Sequence, residues 1–168
     1  MKIIFRLLFI TACFIISFGC SDNNNKNPIV GTWELVSWTV DIPFEIENKV
    51  TTNLNFLEKT TCKVNETLTF DHLGNVTSED TFSPKITIRL KDDLSNNYII
   101  DEICAEGIIG FSTEYLQIDD KNIELNGAKG VFTARELTLV YANAIKIYNE
   151  ALTEIIDNKD LTLVYSKK

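Results

Sequence analysis

The chain has 168 residues, with 16 basic against 24 acidic side chains and a formal net charge of −8. That length suits one domain. The excess of acid argues against a non-specific nucleic-acid binder and against docking on anionic lipid by charge alone, so no nucleic-acid partner is expected.

Lys2 and Arg6 flank a short basic start, after which residues 7–18 run almost wholly apolar (LLFITACFIISF). These twelve residues suit the core of a signal peptide, whereas a spanning helix needs about 20. The segment closes with Ser17-Phe18-Gly19-Cys20. A small residue directly before a cysteine at this place resembles the lipobox of bacterial lipoproteins, a plain secretory signal being the alternative. The resemblance implies a signal peptide over residues 1–19, cleavage before Cys20, and lipidation of Cys20 as the membrane anchor, where several acyl chains hold far better than one. Removal of residues 1–19 takes Lys2 and Arg6 with it, leaving 168 − 19 = 149 residues and 14 − 24 = −10 charges. Residues 20–28 are polar apart from the lipidated cysteine and a final proline, and are expected to be a tether. Ser21-Asp22 also resembles the start of the surface-export signal of Bacteroidota lipoproteins, with Asn23 and Asn24 where acids are typical. An outer-membrane lipoprotein of the cell envelope is the implied location, on its periplasmic or its external face.

The folded part opens at Ile29-Val30-Gly31-Thr32-Trp33, and Trp33 to Val40 reads as a first strand. Apolar residues stand on both parities there (Trp33 and Leu35; Val36, Trp38 and Val40), which predicts a bulge or cover on both faces. Asp41 to Lys63 reads as a long loop with a helical turn near Leu54 to Lys59. Leu68 and Phe70 alternate with Thr67, Thr69 and Asp71, and Asp71-His72-Leu73-Gly74-Asn75 supplies a turn before Val76. This is a hairpin in which Gly74 is free to take φ > 0. Ile86, Ile88 and Leu90 mark a half-buried strand after Pro84, residues 92–97 a turn, and Tyr98 to Cys104 a further strand. Tyr115 to Ile118 and Ile123 to Leu125 flank Asp119-Asp120-Lys121-Asn122 as another hairpin, and Asn126-Gly127 starts a turn or kink. Residues 142–156 fit either of two periods. Leu137, Leu139, Tyr141, Ile145 and Ile147 share a strand parity, while Ala144, Ile145, Tyr148, Ala151, Leu152 and Ile155 share a helix face. β-branched Ile145 and Ile147 favour strand, then a turn at Asn149 to Thr153, then a closing strand; one short helix before the last strand is the alternative. Asp160 to Tyr165 reads as a strand. Some eight or nine short strands with frequent turns give an all-β barrel or sandwich.

Together these residues resemble the lipocalin-like lipoproteins of Bacteroidota. The marks are Ile29 to Trp33 after a tether, the mid-chain Cys62, Thr67 to Asp71 with Gly74, and the terminal Leu161 to Tyr165 strand. The resemblance implies an antiparallel up-and-down β-barrel of about eight strands over residues 29–168. In lipocalins the Gly-x-Trp tryptophan packs across the closed end, often beneath an arginine. Gly31 and Trp33 map onto that barrel-base signature; Arg89 and Arg135 are the arginines available.

Cys13 lies in the signal core and Cys20 is the lipidated residue, so Cys62 and Cys104 remain. An even count in an oxidising compartment predicts a disulfide between them, with free thiols or a metal pair as rivals. No catalytic residue, metal site or cofactor is expected. His72 is the sole histidine and falls in a turn, and no nucleophile-elbow, zincin or phosphate-loop motif occurs. Adjacent acids such as Glu79-Asp80 point to opposite faces of a strand. The leading expectation is a non-enzymatic, membrane-anchored barrel that holds a small hydrophobic or amphipathic ligand, with Phe70, Ile86 and Ile88 as candidate contacts. The alternative is a structural or interaction lipoprotein with a filled barrel that contacts an envelope protein or glycan. A cavity above roughly 300 Å³ would favour the first, and a solid core with an exposed aromatic patch the second.

Overall fold

The structure is a computed structural model that describes residues 27–42, 44–46, 49–51, 55–92 and 97–168. The signal segment 1–19 with Cys13, the lipidation residue Cys20, tether residues 21–26, Pro43, Leu54 and turn residues 93–96 lie outside the described residues.

Thirteen strands are described: β1 (Gly31–Val40), β2 (Phe44–Ile46), β3 (Lys49–Thr51), β4 (Thr67–Phe70), β5 (Asn75–Ser78), β6 (Lys85–Leu90), β7 (Tyr98–Ile103), β8 (Phe111–Glu114), β9 (Leu116–Gln117), β10 (Asn122–Leu125), β11 (Ala128–Phe132), β12 (Glu136–Tyr148) and β13 (Ile155–Lys167). The main sheet runs β8-β5-β4-β1-β13-β12-β11-β10-β9. Its two ends, β8 and β9, are consecutive in the chain and separated only by Tyr115, so the sheet returns to where it began. Taking β8 and β9 as one strand leaves eight positions around a nearly closed, antiparallel, up-and-down barrel, the expected fold. Closure pairs first strand with last, Trp33 opposite Lys167 and Val40 opposite Leu161.

Two insertions interrupt the meander. Between β1 and β4 stand the β2–β3 hairpin and a 3-10 turn, Phe56–Glu58, capped by the Asn55 side chain. The turn falls where a helical turn is expected. The hairpin does not read from sequence, because three-residue strands beside a proline carry too little pattern. Between β5 and β8 stands the β6–β7 hairpin, which docks parallel to the far end of β12 through Ile88 opposite Ile147 and Arg89 opposite Tyr148.

The predicted bulge is present: pairing of β1 with β13 slips between Leu35 and Ser37. Side chains therefore change parity. Trp33 and Leu35 face inward before it, Trp38 and Val40 after it, and Val36 is 46 % exposed outside. Gly74 takes φ +90° in the β4–β5 turn, as its place required. Asn126 (φ +49°) and Gly127 (φ +81°) form the two-residue β10–β11 turn, both in the left-handed region that such tight hairpins demand.

Residues 142–156 resolve as strand, turn and strand. β12 and β13 are 13 residues each, joined through a turn in which the Asn149 side chain caps Thr153 and Glu154. The alternative helix is absent there. Ile147 pairs with β13 on one side and with β6 on the other, so its backbone is satisfied as strand, and its side chain is buried.

Inward side chains of Trp33, Leu68, Phe70, Val76, Leu125, Phe132, Leu137 and Leu139 are almost fully buried in one cluster. Each contributes roughly 1.5–3 kcal/mol by leaving water. Cys62 and Cys104 are joined by a disulfide, with Cα atoms 5.3 Å apart. It ties the segment before β4 to the end of β7.

Candidate functional site

The barrel has two unlike ends. At the closed end Trp33 is fully buried and its indole Nε1 donates to the carbonyl of Ile29 at 2.7 Å. The expected cation over that ring is present, but it is Lys167: its Nζ lies 5.0 Å from the ring centroid and donates to the Pro28 carbonyl. Neither arginine takes the role. Arg89 pairs with Asp101 in the β6–β7 hairpin at 3.4 Å, and Arg135 is exposed in the β11–β12 turn. Lys167 carries no family motif. Its signal was parity alone, since Leu161, Leu163, Tyr165 and Lys167 alternate along one face of β13. Partial burial lowers the Lys167 ammonium pKa. The chain also enters at this end, where Asn27 Nδ2 donates to Gln117 Oε1 at 2.6 Å.

The other half of the barrel holds a cavity of about 230 Å³. Leu35, Leu68, Leu139 and Leu163 wall it, Trp38 and Phe111 add rings, and it reaches the surface at exposed Asn126 and Ala144. One corner is polar. Glu66 immediately precedes β4, and its carbonyl accepts from the Leu35 N–H at 3.1 Å, which continues the β1–β4 ladder by one step. Its side chain consequently shares the inward parity of Leu68 and Phe70. Alternation already marked Leu68 and Phe70, so extending the same count back by two positions would have found it.

The Glu66 residue is 5 % exposed. Tyr165 Oη donates to its Oε1 at 2.5 Å, and the Phe82 N–H donates to its Oε2 at 2.8 Å. Burial raises its pKa above the ordinary 4.5, against the opposing pull of those two donors. Burial first, and the Glu66 charge second, push the phenols of Tyr165 and Tyr141 upward. The corner is thus a carboxyl group beside two phenols that stay protonated. It can accept hydrogen bonds or pair with a positive charge. Among the described residues no group of three His, Cys, Asp or Glu side chains is placed to hold a metal ion.

The candidate ligand contacts fall elsewhere. Phe70 packs edge-on against Tyr115, with ring centroids 5.0 Å apart. Ile88 is buried opposite Ile147, and Ile86 is half-buried two residues earlier on the same hairpin. None of the three lines the cavity. His72 is exposed in the β4–β5 turn. No family model, curated protein or solved structure matches this chain, so the site is read from its geometry.

Proposed function

We propose that this chain is a non-enzymatic, lipid-anchored β-barrel lipoprotein of the lipocalin-like kind, attached to the outer membrane through Cys20, that holds one small and mostly apolar ligand. The supporting observation is the cavity, open at the end away from Asn27. Asn27, the first described residue, lies at the end opposite that mouth.

The cavity limits the cargo. About 230 Å³ does not reach the roughly 300 Å³ that would favour carriage of a drug-sized ligand, yet the core is not solid, and the space exceeds the roughly 150 Å³ that accepts benzene. One ring with a short substituent fits. A second reading, an interaction lipoprotein for an envelope protein or glycan, draws on exposed apolar Leu116 in β9, Ile118 just past it and Val131 in β11.

Mass spectrometry of the chain purified from its native envelope in mild detergent tests both parts. Under denaturing conditions the polypeptide should begin at an acylated Cys20, and Cys20→Ala should remove the acyl mass. Under native conditions a reproducible extra mass, released on denaturation, is expected from the cargo. A bare native mass would turn the reading toward the outer wall and a macromolecular partner.

A further inference from the structure

We propose that the cavity recognises an organic ammonium, an arylalkyl or alkyl amine of about one ring's size, by pairing its cationic head with the Glu66 carboxylate. This rests on the ligand-carrying reading above and adds the chemical class of the ligand.

The first ground is a buried carboxyl group without a cationic partner. Among the residues whose burial is described, Glu66 and Ser78 are buried, as is the Tyr165 phenol, and Glu66 is the one buried acidic residue. Both its hydrogen-bond donors are neutral, the Tyr165 hydroxyl and the Phe82 N–H. The ion pairs among the described residues do not include it. A carboxylate removed from water without a cation is costly, and a barrel built only for apolar cargo gains nothing from it. An ammonium supplied by the ligand offsets that cost.

The second ground is room and direction. Each carboxylate oxygen has two lone pairs, and each has one protein donor here, so acceptor capacity remains for an N–H group. Glu66 lines the cavity itself, as do the rings of Trp38 and Tyr141, the kind of wall that favours a cation. The apolar side chains opposite suit the ligand's hydrocarbon part. The net charge of −8 over the chain favours approach of cations over anions.

The experiment is calorimetric titration of the full chain in mild detergent with phenethylammonium, its neutral isostere 2-phenylethanol, and the anion phenylacetate. Phenethylammonium should bind at least tenfold tighter than the alcohol, phenylacetate should not bind measurably, and Glu66→Gln should bring ammonium and alcohol to parity. The wild-type protein provides a measurement that needs no variant. As pH falls and Glu66 takes up its proton, ammonium affinity should fall while alcohol affinity stays level, because the facing Tyr141 and Tyr165 stay protonated throughout. Equal binding of alcohol and ammonium at neutral pH, or an ammonium affinity indifferent to both Glu66→Gln and pH, overturns the ammonium class and leaves carriage standing. If none of the three binds but the native protein retains another cargo mass, the class also falls and carriage stands. If none binds and the native mass is bare, both readings fall together.

Discussion

Replacing Cys62 and Cys104 together by alanine removes a cross-link between positions 42 residues apart. In the chain-entropy model a loop of that length contributes about 4 kcal/mol, by restricting the unfolded chain. For a chain of this size each kcal/mol moves the melting midpoint by roughly 2–4 °C, so the double variant should melt about 8–16 °C lower. Urea unfolding followed by tryptophan fluorescence suits the measurement, since Trp33 and Trp38 are both buried and report opposite halves of the barrel. The loop bracketed by the bond contains β4 and β5 of the barrel wall and all of the β6–β7 insertion. Its effect should therefore appear in the global transition, with both tryptophans losing their environment together. The insertion has a separate signature. Among the described residues its strands share ladder pairing with the barrel sheet at two positions, Ile147–Ile88 and Tyr148–Arg89, so amide exchange across Lys85–Ile103 should accelerate beyond the rest. A loss below about 1 kcal/mol, with faster exchange confined to that hairpin, would refute the entropic reasoning. The bond would then be a local clamp on an already independent barrel.

Gly130→Ala tests the barrel's packing. A Cβ there would stand 2.6 Å from Ile123 Cγ1 and 2.7 Å from Leu139 Cδ2, both in the core, so a loss of about 1–3 kcal/mol is expected in thermal or urea unfolding. A neutral result would mean that the interior has slack at this layer. Glu66→Gln tests the buried carboxyl without ligand. A pKa raised above 4.5 on folding gives wild type a stability contribution present below that value and lost as pH rises through the folded pKa. Wild type minus variant, from urea midpoints across pH 4 to 8, should decline with rising pH. The difference isolates Glu66, because Asp71, Asp80, Glu102, Asp119 and Asp157 shift downward alike in both proteins. A difference that grows with pH would show that the Tyr165 and Phe82 hydrogen bonds outweigh burial.

The fold was legible wherever one face of a strand is wet. Leu68 and Phe70 alternate with threonines because β4 has a core side and a solvent side, and the bulge in β1 appeared as a parity change at Val36. Closing the chain's end in two long strands was harder to read, since Ala144 to Ile155 satisfies both periods. Pairing to β6, a contact across more than fifty residues, decided it. β8 escaped notice for another reason. Phe111-Ser112-Thr113-Glu114 is too short for a pattern to stand out, and Tyr115 divides it from β9 although the two together close the barrel. The cavity was illegible in principle. Phe70 and Ile88 are as apolar and as deeply buried as Leu68 and Leu139, and only packing in three dimensions separates those that fill space from those that border it.

Why Glu66 stays without a cation inside the barrel follows from where Lys167 goes. Both residues face inward, and the hydroxyl of Tyr165 touches Glu66 from a position only two residues before Lys167 on the same face of β13. Two residues of strand span about 7 Å, a distance a lysine side chain could cover toward the carboxylate. It turns the other way. Its ammonium is held at the closed end by the Pro28 carbonyl and the face of Trp33, which caps the barrel base and fixes the entering chain. The phenol of Tyr165 then stands on the side of Glu66, where it can donate one hydrogen bond but cannot cancel a charge. The same strand thus closes one end of the barrel with a cation and leaves a carboxyl group without a cationic partner facing the cavity at the other. A ligand bearing positive charge is the partner that this separation leaves room for.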